Sequence, residues 1–162
     1  MLFCFLLGDF AFYWGHRALH TKALYWVHKI HHESKNCVAM GALSVHPIEL
    51  LIVDGATALI GIIALGGHIH VVTAYTWILW QVISNVDDHC GYDFPWMCTK
   101  IFPWSASNTW HNYHHLINIG NFSAHMVFWD SIFGTDIEFL DHFDGQHEKK
   151  FDEKAITKIC KY

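Results

Sequence analysis

No C-x-x-C pair occurs in this chain, and its five cysteines (Cys4, Cys37, Cys90, Cys98, Cys160) are odd in number and widely spaced. That pattern argues for reduced thiols over a disulfide framework. A basic stripe is also missing: ten Lys and Arg against fifteen Asp and Glu leave a formal charge of −5, which removes nucleic acid from the partners to consider. A cleavable leader is not expected, because the apolar start has no basic n-region and contains Asp9. Met1-Leu-Phe-Cys-Phe-Leu-Leu reads as part of a helix instead. Low-complexity tracts are absent, and the only internal echo is a repeated H-x-x-H-H.

What is present is aromatic and rich in imidazole. The 162 residues suffice for one compact domain. Aromatic residues make up 16%, with eight Trp and twelve Phe, while charges gather in loops and near the C-terminus. That distribution leans toward a membrane protein. Fifteen histidines would make a pH-sensitive reserve, and metal binding would hold them neutral and remove it.

The chain is organised around His28-Lys-Ile-His31-His32 and its later echo His111-Asn-Tyr-His114-His115. On a helix, positions i, i+3 and i+4 share a face, so each cluster is expected to present three imidazoles from one stripe. His16 and His20 repeat the i, i+4 half of that pattern. A single histidine on an apolar helix is ordinarily a hydrogen-bonded core residue. Three neighbouring imidazoles without a metal would crowd donors and acceptors that cannot all be satisfied. His16, His20, His28, His31, His32, His111, His114 and His115 are therefore read as metal ligands. Together they exceed the needs of one four-coordinate site, so more than one ion is expected, zinc as readily as iron.

Ile48 to Gly66 is the strongest membrane span, and His70 to Val86 follows after a turn containing Gly66-Gly67. The pair reads as a transmembrane hairpin; the alternative is two buried helices of a soluble protein. Met1 to Gly15 reaches only ~22 Å at ~1.5 Å per residue, short of the ~30 Å hydrocarbon core, and reads as an incomplete span or the end of a longer helical region. Thr21 to Asn36, with Lys22, Lys29 and Lys35 among apolar residues, fits a helix at the membrane surface. Asn108 to Leu116 is a short helix, Phe128 to Thr135 an amphipathic anchor with a turn, and residues 138–162 a polar, solvated tail after a domain of residues 1–137.

The hairpin decides which histidines cooperate. His32 enters it and His89 leaves it, which places His16 through His32 and His89 through His115 on one side and adds His89 to the ligands. His68 and His70 sit at the far turn, ~30 Å away, and cannot join them. Arg17, Lys22, Lys29, Lys35 and Lys100 lie on the ligand side, with no Lys or Arg in the far turn, which puts that side in the cytosol. The fold class expected is an all-α integral membrane protein: a transmembrane hairpin with a cytosolic, histidine-rich helical cap holding a dinuclear metal site.

Around the ligands, Asp9 precedes His16 by two helical turns and could accept a ligand ring N–H, fixing its tautomer. Asp93, at i+4 from His89, is read as a second-sphere group or an unusual ligand. His46, in His46-Pro-Ile-Glu49, is either near the site or a helix start. His125 lacks a partner at i±3 or i±4, His142 and His147 lie in the polar tail, and Asp54 beside Gly55 has no assigned role.

The ordered series H-x3-H, H-x2-H-H and H-x2-H-H, with a membrane hairpin between the second and third, resembles the fatty acid hydroxylase superfamily of membrane non-haem diiron enzymes. Asp9 with Tyr13-Trp14-Gly-His16-Arg17, His46-Pro-Ile-Glu49, His89-Cys-Gly-Tyr-Asp-Phe-Pro-Trp96 and Trp129-Asp130-Ser-Ile-Phe-Gly-Thr135 resemble its sterol branch, the sterol C-4 methyl oxidases and cholesterol 25-hydroxylases. The resemblance runs from about residue 5 to 137. It implies O2-dependent hydroxylation of an unactivated lipid C–H bond, sterol or fatty acyl, at two iron ions in the endoplasmic reticulum membrane. Electrons would come from NAD(P)H through cytochrome b5 and its reductase. Such a bond offers no acid–base handle, so a redox metal must do the chemistry. Phe10, Phe12, Tyr13 and Trp14 would wall the site toward the bilayer. The family's fatty-acid branch has a histidine at the position of Asp93, which leaves first-sphere occupancy there open. Desaturation at the same cluster and an inactive metal-binding relative are the competing readings; a transporter is disfavoured because the clusters do not line the hairpin.

Overall fold

The computed structural model describes residues 1–35, 37–100 and 104–148, so Asn36, the tail from residue 149 and Cys160 lie outside the described residues. Among those described, the fold is helical: α1 (Leu2–Leu19), α2 (Tyr25–His28), α3 (Pro47–Glu49), α4 (Ala56–Leu65), α5 (Val71–Asp88), α6 (Asn108–Ile117), α7 (Phe128–Phe133) and α8 (Ile137–Glu148). No strand occurs among them; Ser105 and Met126 form one isolated antiparallel bridge.

His46 starts the long apolar run. Extended at the cap position, it accepts a hydrogen bond from Ile48 N at Nδ1 (3.1 Å), and Pro47 occupies the first helical position, where no N–H is needed. From there α3 passes through a π-helical turn, Leu50–Gly55, into α4. The whole run Pro47–His68 is the one helix among the described residues long and apolar enough to cross a membrane. Leu51, Ile52 and Ile63 lie exposed on its outer side.

α1 runs antiparallel to α4 at glycine distance. A Cβ placed on Gly61 would stand 2.5 Å from Cys4 Cα, and one on Gly8 would stand 3.0 Å from Thr57 O. Small residues at such a crossing let the helix backbones touch. α5 returns beside α4, with Trp77 Nε1 donating to Ala58 O at 2.7 Å. Trp77 forms a buried core with Cys4 and Phe5, on which Ile62, Leu65, Ile78 and Met126 pack.

Three expectations change. Of the two expected hairpin arms, only the first has the length and apolarity of a span, because α5 carries Gln81, Ser84, Asn85, Asp87 and Asp88. The region read as a surface helix forms one α turn, α2, and one 3-10 turn, His31–Glu33, so its histidines leave the backbone in different directions. The anchor segment α7 turns Asp130 fully inward, and α8 makes residues 137–148 helical, with Phe139 against Trp110 at 4.5 Å between ring centroids.

Candidate metal centre

The nine histidines come together as two groups. His16 and His20 arrive from α1, His28 from α2, His32 from the following turn and His114 from α6; their ligand nitrogens lie within 4.8 Å of one another. His31, His89, His111 and His115 form the second set by the same measure. Each H-x-x-H-H cluster is thus divided. His28 and His32, at i and i+4, serve the first group while His31 crosses to the second; His111 and His115 serve the second while His114 crosses to the first.

Ring tautomers follow from what the outer nitrogens meet. Backbone carbonyls only accept, so His16 donates from Nδ1 to Phe122 O (2.8 Å), His89 to Asn85 O (2.8 Å), His114 to Gly120 O (2.6 Å) and His115 to Ser34 O (3.1 Å). Their Nε2 atoms then carry lone pairs aimed at further imidazole nitrogens: His16 at His28 Nε2 (3.1 Å), His114 at His32 Nε2 (3.2 Å), and both His89 and His115 at His111 Nε2 (2.9 and 3.1 Å). The single proton His111 Nε2 can carry satisfies only one of the two lone pairs aimed at it, whereas a cation between the rings satisfies all of them. His20 Nε2 is buried with no hydrogen-bond partner among the described residues. Both sets therefore fit metal ions, and neutral imidazoles are the form a metal takes. Burial first, and neighbouring imidazoles second, push His20 and His32 down to about 2 and His115 to about 3, and hold His28, His31, His111 and His114 below the usual histidine range.

A cavity of about 320 Å³ opens onto both groups, meeting His16 and His28 of the first and His31, His89 and His111 of the second. It continues between the π turn and α5, walled by Phe12, Leu50, Val53, Ile78, Val82 and Val86.

A family model for fatty acid hydroxylases matches residues 1–135. The chain belongs to the fatty acid hydroxylase family. It is 40% identical over 140 residues to methylsterol monooxygenase 2-2 of Arabidopsis thaliana, covering 84% of this chain and 52% of that protein. To a very-long-chain aldehyde decarbonylase of Oryza sativa subsp. indica it is 38% identical over 156 residues, 91% of this chain and 58% of that protein. Methylsterol monooxygenase 1 of Gallus gallus is 35% identical over 155 residues, 95% of this chain and 51% of its own length. The chain thus spans between 51% and 58% of these curated relatives. No solved structure matches it.

The groups expected around the ligands behave differently from the nine histidines. Asp9 does not hold a ligand ring. Its carboxylate accepts from His125 N (3.0 Å) and Trp129 Nε1 (2.8 Å), because the loop after α6 folds over α1 and brings those donors closer. His46 caps α3 and packs on Trp26, away from both groups. Asp93 pairs with Lys100, as the Gly and Pro of its loop carry it off the face of His89. His68 and His70 lie at the far turn, His142 packs on Tyr113, and the side chain of His147 is outside those described.

Two positioning groups escaped sequence reasoning. Glu49 accepts from His28 Nδ1 at 2.6 Å. Its place in His46-Pro-Ile-Glu49 was the available signal. Asp130 accepts from Phe122 N and Ser123 N, both at 2.8 Å, and so holds the loop whose carbonyls orient His16 and His114. Gly120 in that loop has φ +71°, and a Cβ there would meet Thr135 O at 2.4 Å.

Proposed function

We propose that the protein oxidises an unactivated C–H bond of a membrane lipid, a sterol of the C-4 methyl type first, with O2 and two iron ions. The observation that carries this reading is the joining of two convergent imidazole groups to one largely apolar cavity. His16, His20, His28, His32 and His114 would hold one ion, and His31, His89, His111 and His115 the other. Iron bound there supplies the redox chemistry that such a bond demands and side chains lack. The protein's own part is to keep the imidazoles neutral and aimed, and to exclude water with Phe12, Leu50, Val53 and Val82. Isolated protein would also take zinc, which such ligands bind more tightly than ferrous iron.

In this reading Pro47–His68 spans the endoplasmic reticulum membrane, α5 returns beside it, and the histidine end faces the cytosol on the strength of Arg17, Lys22, Lys29, Lys35 and Lys100. Electrons from NAD(P)H reach that end through cytochrome b5 and its reductase, and the lipid enters the cavity from the bilayer.

The test is turnover of iron-loaded protein with a reducing system, sterols and labelled O2. One labelled oxygen in the product is expected. Desaturation would remove two hydrogens without label, and no turnover of sterols or fatty acyl lipids by protein holding two irons would sink the reading. The similarity to an aldehyde decarbonylase supports one second reading, an aldehyde substrate that loses its carbonyl carbon.

A further inference from the structure

Away from the histidines the cavity has a polar girdle that the oxidation itself does not require. On one wall stands Asp54, at the π turn in the middle of an otherwise apolar run. Its carboxyl group has no hydrogen-bond partner among the described residues, whereas Asp9, Asp87 and Asp130 all accept hydrogen bonds. Ionisable groups unpaired within an apolar helix are costly, and π turns recur at functional positions. On the facing wall stands Gln81 of α5. The helices meet at Trp77 and Ala58, which brings the turn after Trp77 opposite the turn before Ala58.

Gln81 is held by a short relay. Ser84 Oγ and His125 Nδ1 are 2.9 Å apart, and His125 Nε2 contacts Gln81 Oε1. With Nε2–H donating to Gln81, Nδ1 is an acceptor and the Ser84 hydroxyl donates to it. His125 is pushed down to about 4 by burial, so the ring is neutral and the relay has one proton per bond. The Gln81 amide is therefore fixed with its NH2 group uncommitted among the described residues, beside a cavity that also holds an uncommitted acceptor on Asp54.

We infer that Asp54 and Gln81 form a hydroxyl-reading collar, which seats the alcohol group of a lipid between an acceptor and a donor. A hydroxyl is the neutral group that both donates and accepts, and so satisfies both walls at once. A hydrocarbon would leave both half-buried groups unpaired, which is the situation in which polar sites discriminate most strongly. Helical rise sets the collar ~8 Å from Glu49 along α3 and the π turn, and ~12 Å from His89 along α5. Asp54, Gln81 and His125 are thus specificity and positioning residues. They do not touch the reacting atoms.

The inference rests on the lipid-oxidation reading, and a binding experiment separates the two. Purified protein in detergent, loaded with zinc to hold the histidines without turnover, is titrated with tritiated cholestanol and its deoxygenated counterpart cholestane, and with stearyl alcohol and octadecane. At least one alcohol should bind about tenfold more tightly than its hydrocarbon, the worth of one to two net hydrogen bonds. Gln81→Met and Asp54→Leu should each erase that preference while hydrocarbon binding and metal content stay unchanged. Asp54→Asn, which keeps shape and an acceptor, should retain most of it. Equal binding of alcohols and hydrocarbons, or a preference that survives both apolar variants, overturns the collar alone. Binding of none of the four probes overturns the lipid reading together with it.

Discussion

Glu49 Oε1 accepts the Nδ1 proton of His28 at 2.6 Å, linking the start of the apolar run to the first imidazole group. The carboxylate fixes the tautomer that turns His28 Nε2 toward His16 and His32, 3.1 and 2.9 Å away. Partners of this kind are worth roughly 10–100-fold in metal affinity. Glu49→Ala should weaken one of the two ions by that factor and leave the other unchanged, measured by competitive metal titration. Equal weakening of both ions would contradict the assignment of Glu49 to one group.

The crossing of His31 and His114 makes a sharper test of the two groups. His28→Ala with His32→Ala removes two ligands from one group, and metal content should fall by about one ion per chain. His28→Ala with His31→Ala takes one ligand from each group and should lower affinity at both sites. Were each H-x-x-H-H stripe to serve a single ion, both double variants would affect only that ion. Elemental analysis of the purified variants decides it.

Packing of α1 against α4 depends on Gly61. A methyl group there meets Cys4 Cα at 2.5 Å, a backbone atom that cannot rotate away. Gly61→Ala should cost about 1–3 kcal/mol, in the range of overpacked interiors. Since His16 and His20 ride on α1, metal affinity should fall with it. An unchanged thermal midpoint in detergent would show that the helices part without cost.

Acid should unfold the metal-free protein early. His20, His32 and His115 are held at about 2 to 3 in the folded chain, below the 6.5 of a free imidazole. The unfolded chain therefore binds more protons below pH 6.5, so this stability is complete above that pH and drains away as pH falls toward the folded values. Each such histidine contributes ~1.4 kcal/mol per pH unit in that window. The thermal midpoint should drop steeply between about pH 6.5 and pH 4.5. Bound zinc should shift the drop to lower pH, because protons must first displace the metal.

Much of the site was legible in the order of the residues. Helical periodicity is local, so the i, i+3 and i+4 spacing of His111, His114 and His115 needs only α6 to be read. The apolar run after His46-Pro47 is likewise a local signal, and the family follows from the ordered motifs. The breaking of the His28 to His32 stripe into two short turns was not legible, nor was its division between two groups. Which group an imidazole joins depends on where distant segments lie, and spacing within one segment carries no record of that. Asp9 shows the same limit: it shares a helix with His16, yet its partners lie at His125 and Trp129, brought over it by the loop after α6. The acceptors that aim the ligands are the backbone carbonyls of Phe122, Gly120, Asn85 and Ser34. Every residue has a carbonyl, so only the tertiary fold could single out these four. By itself the sequence determined which histidines are available as ligands; the packing of α1, α5 and α6 around the π-turned helix decided which of them meet and which ring nitrogen each one turns inward.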